Sequence, residues 1–233
     1  MSSEATQRSV VQRALKRSLD LVGATVGLCL LSPVLAGAAI AIRSSIGSPV
    51  IFRQRRPGRN GEPFTIYKFR TMREPKPGEE RFTSDGARLT PLGRLLRRTS
   101  IDELPELFNV LKGDMSLVGP RPLLIEYLDR YTPEQKRRHD VRPGITGLAQ
   151  VSGRQHLRFS QRLELDVEYV DSWSVVLDVV ILWRTVRAVA GGSGVESGQA
   201  IADVDDLGLY QGKGKSSDGL DGKEEILNES GEA

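Results

Sequence analysis

From Leu21 to Ile42 the chain runs for 22 residues without a charge. As a straight helix that run is about 33 Å long, enough to cross the hydrocarbon core of a bilayer. A cleaved signal peptide has a shorter apolar core, so the run reads as a membrane segment. Arg13, Lys16 and Arg17 precede it, and Arg43 and the Arg53, Arg55, Arg56 cluster follow it. Basic flanks favour the cytoplasm, so both ends are expected on that side. Ser32-Pro33 lies near the middle. Proline removes a backbone donor and crowds the preceding turn. Each half is then about 11 residues, too short to span. The Ser32 hydroxyl can bond a carbonyl one turn back and help satisfy the bent backbone. The pattern predicts a helix-break-helix at Ser32-Pro33, a re-entrant membrane helix that dips into one leaflet and returns.

Beyond the run the patterning becomes mixed. Val50–Phe52 and Phe64–Phe69 have strand character, and "RPGRNGEP" between them supplies turn signals, so a short hairpin is expected. Further on, Tyr169, Trp173, Val176, Val180 and Trp183 recur at spacings of four and three, one face of a helix. A plain core helix fits that spacing. Two tryptophans, with only Asp178 charged between Ser172 and Trp183, suit an interfacial amphipathic helix as well. The expected class is α+β, mostly helical. An N-terminal extension covers 1–14, the membrane helix 15–43, a small cytoplasmic globular domain 44–190, and a tail 191–233.

Charge sharpens this division. The net charge of +3 hides a tail from Gly191 to Ala233 with ten acids and three lysines. That tail is rich in Gly and Ser and is expected to be disordered, save for a short ordered piece around "IADVDDLGLY". Ser44–Ser100 holds thirteen Lys/Arg against five acids. Such a face suits nucleic acid, anionic lipid or a nucleotide diphosphate. The sequence has no nucleic-acid-reading module, and the membrane run favours lipid or nucleotide, so no nucleic-acid partner is expected. The single Cys29 excludes an internal disulfide, and His139 and His156 lack a zinc pattern. There is neither a GxxxxGK[ST] loop nor a GxGxxG fingerprint, so a phosphate site must come from basic side chains. Candidates are Lys68, Arg97, Arg98, Arg121 and Arg142. Pro120 and Pro122 stiffen the backbone on both sides of Arg121, which favours a positioned contact.

Two adjacent acids, Asp102 and Glu103, stand in "RRTSIDELPEL". Ser100 and Glu103 make an S-x-x-E capping box, an ordinary helix start. With Asp102 as the cap instead, Pro105 falls where its missing donor costs nothing. Either choice puts Asp102 in the first turn, where the helix dipole is expected to lower its pKa. An ionised carboxylate needs no general base to act as a nucleophile, and nearby cations relieve its repulsion from a phosphoryl centre. The residues alone leave cap and catalyst both open.

Taken in order, several motifs resemble the bacterial sugar transferase family, the monotopic polyprenyl-phosphate phosphoglycosyl transferases in their minimal form. They are "KRSLDL", the apolar run with Ser32-Pro33, "PVIFRQRRPGRNGEPFTIYKFRTM", "LGRLLRRTSIDELPELFNVLKGDMSLVGPRP", "RPGITGLAQVSGR" and "YVDSWSVVLDVVILWRTV". The resemblance implies transfer of a phosphosugar from a UDP-sugar to polyprenyl (undecaprenyl) phosphate, with release of UMP, at the start of glycoconjugate assembly. It implies Asp102 as the nucleophile of a covalent phosphosugar-aspartate intermediate. Glu103 would be its partner, assisting the lipid phosphate or the metal. Mg2+ would be the cofactor, near Asp102 and Glu103. Lys68, Arg97 and Arg121 match basic active-site positions; Arg142 and Arg154 lie in family motifs and are taken as substrate-binding. Ser32 and Pro33 match the helix-breaking pair. The implied location is the cytoplasmic face of the bacterial inner membrane, in one leaflet, with downstream glycosyltransferases as partners. Two other readings compete with a transferase. One is a non-catalytic membrane-surface protein that binds anionic lipid or partners, the other a nucleotide-sugar hydrolase.

Overall fold

A computed structural model of the chain describes residues 3–77, 85–153, 157–191 and 205–208. Helix α1, Ser3–Ser45, runs the length of the apolar segment. A hairpin follows, β1 Ile51–Pro57 and β2 Pro63–Phe69. Then come α2 Asp85–Arg88, α3 Pro91–Arg98, a 3-10 turn Ile101–Glu103 and α4 Glu106–Lys112. Strand β3, Ser116–Val118, pairs in parallel with β4, Gly144–Thr146. Between them lies α5, Pro133–Lys136; after β4 come α6 Leu148–Ser152, α7 Phe159–Ser172 and α8 Val175–Ala190. The described fold is mostly helical, as expected, with the expected hairpin and a second small sheet, the parallel β3–β4 pair, that the sequence did not suggest.

Between Leu21 and Ile42 helix α1 carries no charge on any side, and several small residues lie where it meets the domain. Gly23 lies so close to Leu117 that a Cβ there would meet its Cδ1 at 2.6 Å. Ala24 is fully buried with Ile66, Leu107, Val110 and Met115, while Ala38 and Ile42 pack on Phe69 and Leu96. The larger Val22, Val26, Leu30 and Ile40 point outward and are exposed. Small residues inward let backbones approach closely.

The expected break at Ser32-Pro33 is not a break in the helix: α1 continues through Pro33. The reason is local. A residue in place of Pro33 would donate its N–H to the Cys29 carbonyl; the Ser32 hydroxyl donates to that oxygen instead, at 2.8 Å. The hairpin is longer than its apolar residues predicted. Ile51 to Pro57 pairs with Phe69 to Pro63, so the charged Arg53, Arg55 and Arg56 belong to a strand. The single helix read from Tyr169 to Trp183 is in fact two. α7 ends at Ser172, and the Ser174 hydroxyl accepts from the Leu177 N–H at 3.1 Å to begin α8. Tyr169 is buried on α7, whereas Val176, Val179 and Trp183 are exposed along α8.

Asp178, the lone charge of that stretch, is buried rather than interfacial. Its carboxylate accepts from Lys16 at 2.6 Å and from the Tyr169 hydroxyl at 2.7 Å. Lys16 also donates to the Val118 carbonyl at 3.1 Å. Asp20, one turn along α1, accepts from the Ser116 hydroxyl and the Leu117 N–H, both at 2.9 Å. These bonds fix α1, β3, α7 and α8 to one another. Asp178→Ala leaves Lys16 without its main partner and should lower stability by about 3–5 kcal/mol. In the Lys16→Met background the same change should cost far less, by thermal unfolding of the detergent-solubilised chain. Equal losses in both backgrounds would contradict the coupling.

Candidate active site

The two acids sit where α3 turns toward α4. A Cβ on Gly93 would meet the Thr71 carbonyl oxygen at 2.0 Å, so α3 lies directly on the chain leaving β2. One turn further along α3, Arg97 donates to the Thr71 hydroxyl at 3.1 Å. Ser100 reverses the chain in the left-handed region, φ 57°, and its side chain makes no cap. The capping box expected from Ser100 and Glu103 is therefore absent. Asp102 is not the cap of an α-helix either; it lies inside the 3-10 turn that precedes α4.

Glu103 turns away from the helix to join two cations. Lys68 of β2 donates to it at 2.7 Å. Arg121 grips both of its carboxylate oxygens, one of them at 3.2 Å. Burial alone would raise its pKa, but the Arg121 and Lys68 charges outweigh burial and hold the carboxyl well below the usual carboxylate range. Glu106 is only 2% exposed and faces the same lysine, its Oε1 3.0 Å from Lys68 Nζ. That contact is an ion pair whose angles do not make a hydrogen bond, so Oε1 has no hydrogen-bond partner among the described residues. Burial pushes Glu106 up to about 7; Lys68 opposes that and Glu103 adds to it.

Asp102 is 8% exposed, and its carboxylate makes no hydrogen bond or ion pair among the described residues. Burial raises its pKa first and the Glu103 charge adds to it; Lys68, Arg97 and Arg121 pull the other way. The helix dipole was expected to lower this pKa, but loss of water outweighs it. The result is a nearly dry, unengaged carboxylate inside a ring of three cations.

The Arg121 loop is held from behind. Gly119, Gly144 and Gly147 pass with no room for side chains: a Cβ on Gly144 would meet the Gly119 nitrogen at 2.1 Å. Arg138, fully buried, donates to the Arg121 carbonyl at 2.7 Å and to Asp166 at 2.6 and 3.0 Å. Asn109 of α4 clasps the free edge of β2, donating to the Thr65 carbonyl at 2.7 Å and accepting from the Tyr67 N–H at 3.1 Å. The bond at Tyr67 fixes the backbone next to Lys68.

The structure thus brings together Lys68, Arg97, Asp102, Glu103 and Arg121. It places Arg142 elsewhere, at the far end of α4, donating to the Gly113 carbonyl at 2.8 Å. Arg154 lies outside the described residues. Sequence reasoning passed over Glu106, Asn109 and Arg138. Glu103 and Glu106 stand three apart, a spacing that shares one helical face, which was the available signal for Glu106. Arg138 carried no such signal, because a surface arginine and a buried one read alike.

Residues 11–192 match the family model described as bacterial sugar transferase. The chain belongs to that family. It is 53% identical over 182 residues to the uncharacterized sugar transferase EpsL of Bacillus subtilis, covering 78% of this chain and 90% of that one. It is 44% identical over 191 residues to a UDP-glucose:undecaprenyl-phosphate glucose-1-phosphate transferase of Escherichia coli, covering 78% of this chain and 41% of that one. A UDP-N-acetylgalactosamine-undecaprenyl-phosphate N-acetylgalactosaminephosphotransferase of Aeromonas hydrophila is 39% identical over 196 residues, 80% of this chain and 46% of that one. The chain spans less than half the length of these last two relatives.

The pKa of Glu106 makes a prediction of defined sign. Its folded value, about 7, lies above the 4.5 of an ordinary glutamate. The neutral form therefore favours folding at low pH, and this advantage is lost as pH rises through 7. Glu106→Gln does not titrate. Its stability relative to the unsubstituted chain should grow by roughly 2 kcal/mol between pH 5 and pH 8 in denaturant titrations. A difference that stays constant with pH would contradict the assignment.

Proposed function

We propose that the chain is a polyprenyl-phosphate phosphoglycosyl transferase. It moves a phosphosugar from a UDP-sugar to a polyprenyl phosphate and releases UMP. The observation that carries this reading is the Asp102 carboxylate, nearly dry, under the charges of Lys68, Arg97 and Arg121, and without a hydrogen bond or ion pair among the described residues. The activities for which the Escherichia coli and Aeromonas relatives are named support the same substrates.

In this reading an Asp102 oxygen attacks the phosphorus that bears the sugar. A new O–P bond forms, the bridging P–O bond breaks, and UMP leaves with the electron pair. An oxygen of the lipid phosphate then attacks the same phosphorus and breaks the aspartyl O–P bond, restoring the carboxylate. The cations take up phosphate charge in both steps. Held as low as it is, Glu103 is a weak base at neutral pH; its contribution is to fix Lys68 and Arg121.

Magnesium fits the site in a restricted way. Among the described residues no group of three His, Cys, Asp or Glu side chains gathers to hold a metal. Glu103 has both oxygens engaged, so Asp102 is the residue free to hold the ion, together with the substrate's own phosphates. When bound, magnesium would neutralise charge on the diphosphate.

The membrane disposition belongs to the same proposal. Helix α1 is long and apolar enough to cross a bilayer. Yet Lys16 and Asp20 near one end and Ala38 and Ile42 near the other pack on one and the same domain. That supports entry and exit through a single cytoplasmic leaflet. The exposed Val176, Val179 and Trp183 of α8 extend the apolar surface.

The test is UMP release and intact mass. With UDP-glucose, UDP-galactose and UDP-N-acetylgalactosamine offered in turn, with Mg2+ and no lipid, one donor should add one phosphosugar mass to the chain. Asp102→Asn should show no adduct and, with undecaprenyl phosphate present, lose UMP release by at least about a thousandfold. Full activity in that variant would exclude the mechanism.

A further inference from the structure

A groove of about 740 Å3 opens beside the acids. That size lies within the roughly 300–1,000 Å3 of ligand sites. One wall is a single face of α4, Pro105 and Phe108, three residues apart, continued by Leu111. The second is a single face of the hairpin, the cross-strand pair Ile51 and Phe69. The third is α1 at Leu35 and Ala36, just past Pro33. Phe108 is 51% exposed while its neighbours Leu107 and Val110 fill the core, so the core does not account for its ring.

The groove has a direction. Its Pro105 end begins three residues after Asp102. Its other end is basic. Arg53 and Lys112 both lie over the Tyr67 ring, at 5.8 and 5.4 Å from its centroid. Apolar walls that open onto apolar α1, and an end at Pro105 close in sequence to the acid, fit the tail of a single-chain lipid whose anionic head lies at the Pro105 end. A soluble nucleotide would leave these apolar walls without a partner.

We propose that this groove binds the first isoprene units of the polyprenyl phosphate acceptor, guiding its phosphate from the membrane to Asp102 past Pro105. Arg53 and Lys112 face the anionic head groups of the surrounding leaflet. This rests on the function proposed above and assigns the lipid subsite within it. Two variants test it without touching the charged site. Ala36→Phe fills the groove, and Phe108→Ala removes a wall.

Both half-reactions are measured on the full chain in nanodiscs. Loading of phosphosugar from the active UDP-sugar without lipid should stay within about twofold of the unsubstituted chain. KM for undecaprenyl phosphate should rise about tenfold, and the preference for undecaprenyl over geranyl phosphate should shrink by a similar factor. An unchanged lipid KM with normal loading in both variants would overturn the groove assignment alone. Absence of loading in the unsubstituted chain would overturn the functional reading, and the subsite with it. A photoreactive prenyl phosphate should crosslink within the groove; protection by dialkyl phospholipid as effective as by undecaprenyl phosphate would reduce the groove to a bilayer contact and reject the proposal.

Discussion

One carboxylate holds the catalytic half of this molecule together. Glu103 joins Lys68 on the hairpin to Arg121 on the loop after β3, and it does so from the residue next to Asp102. Neither cation can approach without a counter-charge, and neither is free to neutralise Asp102 fully once Glu103 has engaged it. The neighbouring acid is therefore left beside positive charge but, among the described residues, without a bond of its own. In the proposed reading, a strong pair thus leaves the third member available as the nucleophile. The arrangement is only partly shielded from water, with the Arg121 side chain 43% exposed, and the fold supports it from three directions. Asn109 fixes the strand that carries Lys68, Arg138 fixes the loop that carries Arg121, and Gly93 lets α3 bring Arg97 close.

The membrane side follows from a different constraint. The charged Lys16 and Asp20 anchor one part of helix α1 to the domain, and its uncharged stretch packs through Gly23, Ala24, Ala38 and Ile42. Val22, Val26, Leu30 and Ile40 stay exposed. The Lys16–Asp178 pair then locks the helix to α8, whose exposed apolar residues lie on the same domain. The proposed use of one soluble and one lipid substrate suits this geometry, because the charged residues and the apolar surfaces belong to one packed unit.

Much of this was legible in the chain. The apolar run, the hairpin, the stiffened Arg121 and the two acids all carry local signals, and four of the five residues gathered at the site stand in motifs rich in proline, charge or turn residues. What failed to read was non-local. The Ser100 cap was reasonable from spacing, but the pull of Lys68 and Arg121 on Glu103 is decided by residues 35 and 18 positions away. The helix break at Pro33 failed because the Ser32 hydroxyl supplies the missing donor. Asp178 looked like a lone charge at an interface because its partner, Lys16, lies 162 residues away. Arg138 was invisible for the same reason, since burial is a property of the fold; Glu106 showed only its spacing of three from Glu103.

The central claim is that Asp102 carries the phosphosugar between two separate displacements. Isotope exchange tests it without any lipid. Labelled UMP incubated with the active UDP-sugar, Mg2+ and the full chain should appear in the UDP-sugar, because the first displacement is reversible, and Asp102→Asn should exchange none. Exchange that occurs only when polyprenyl phosphate is added, or that survives in Asp102→Asn, would contradict the account.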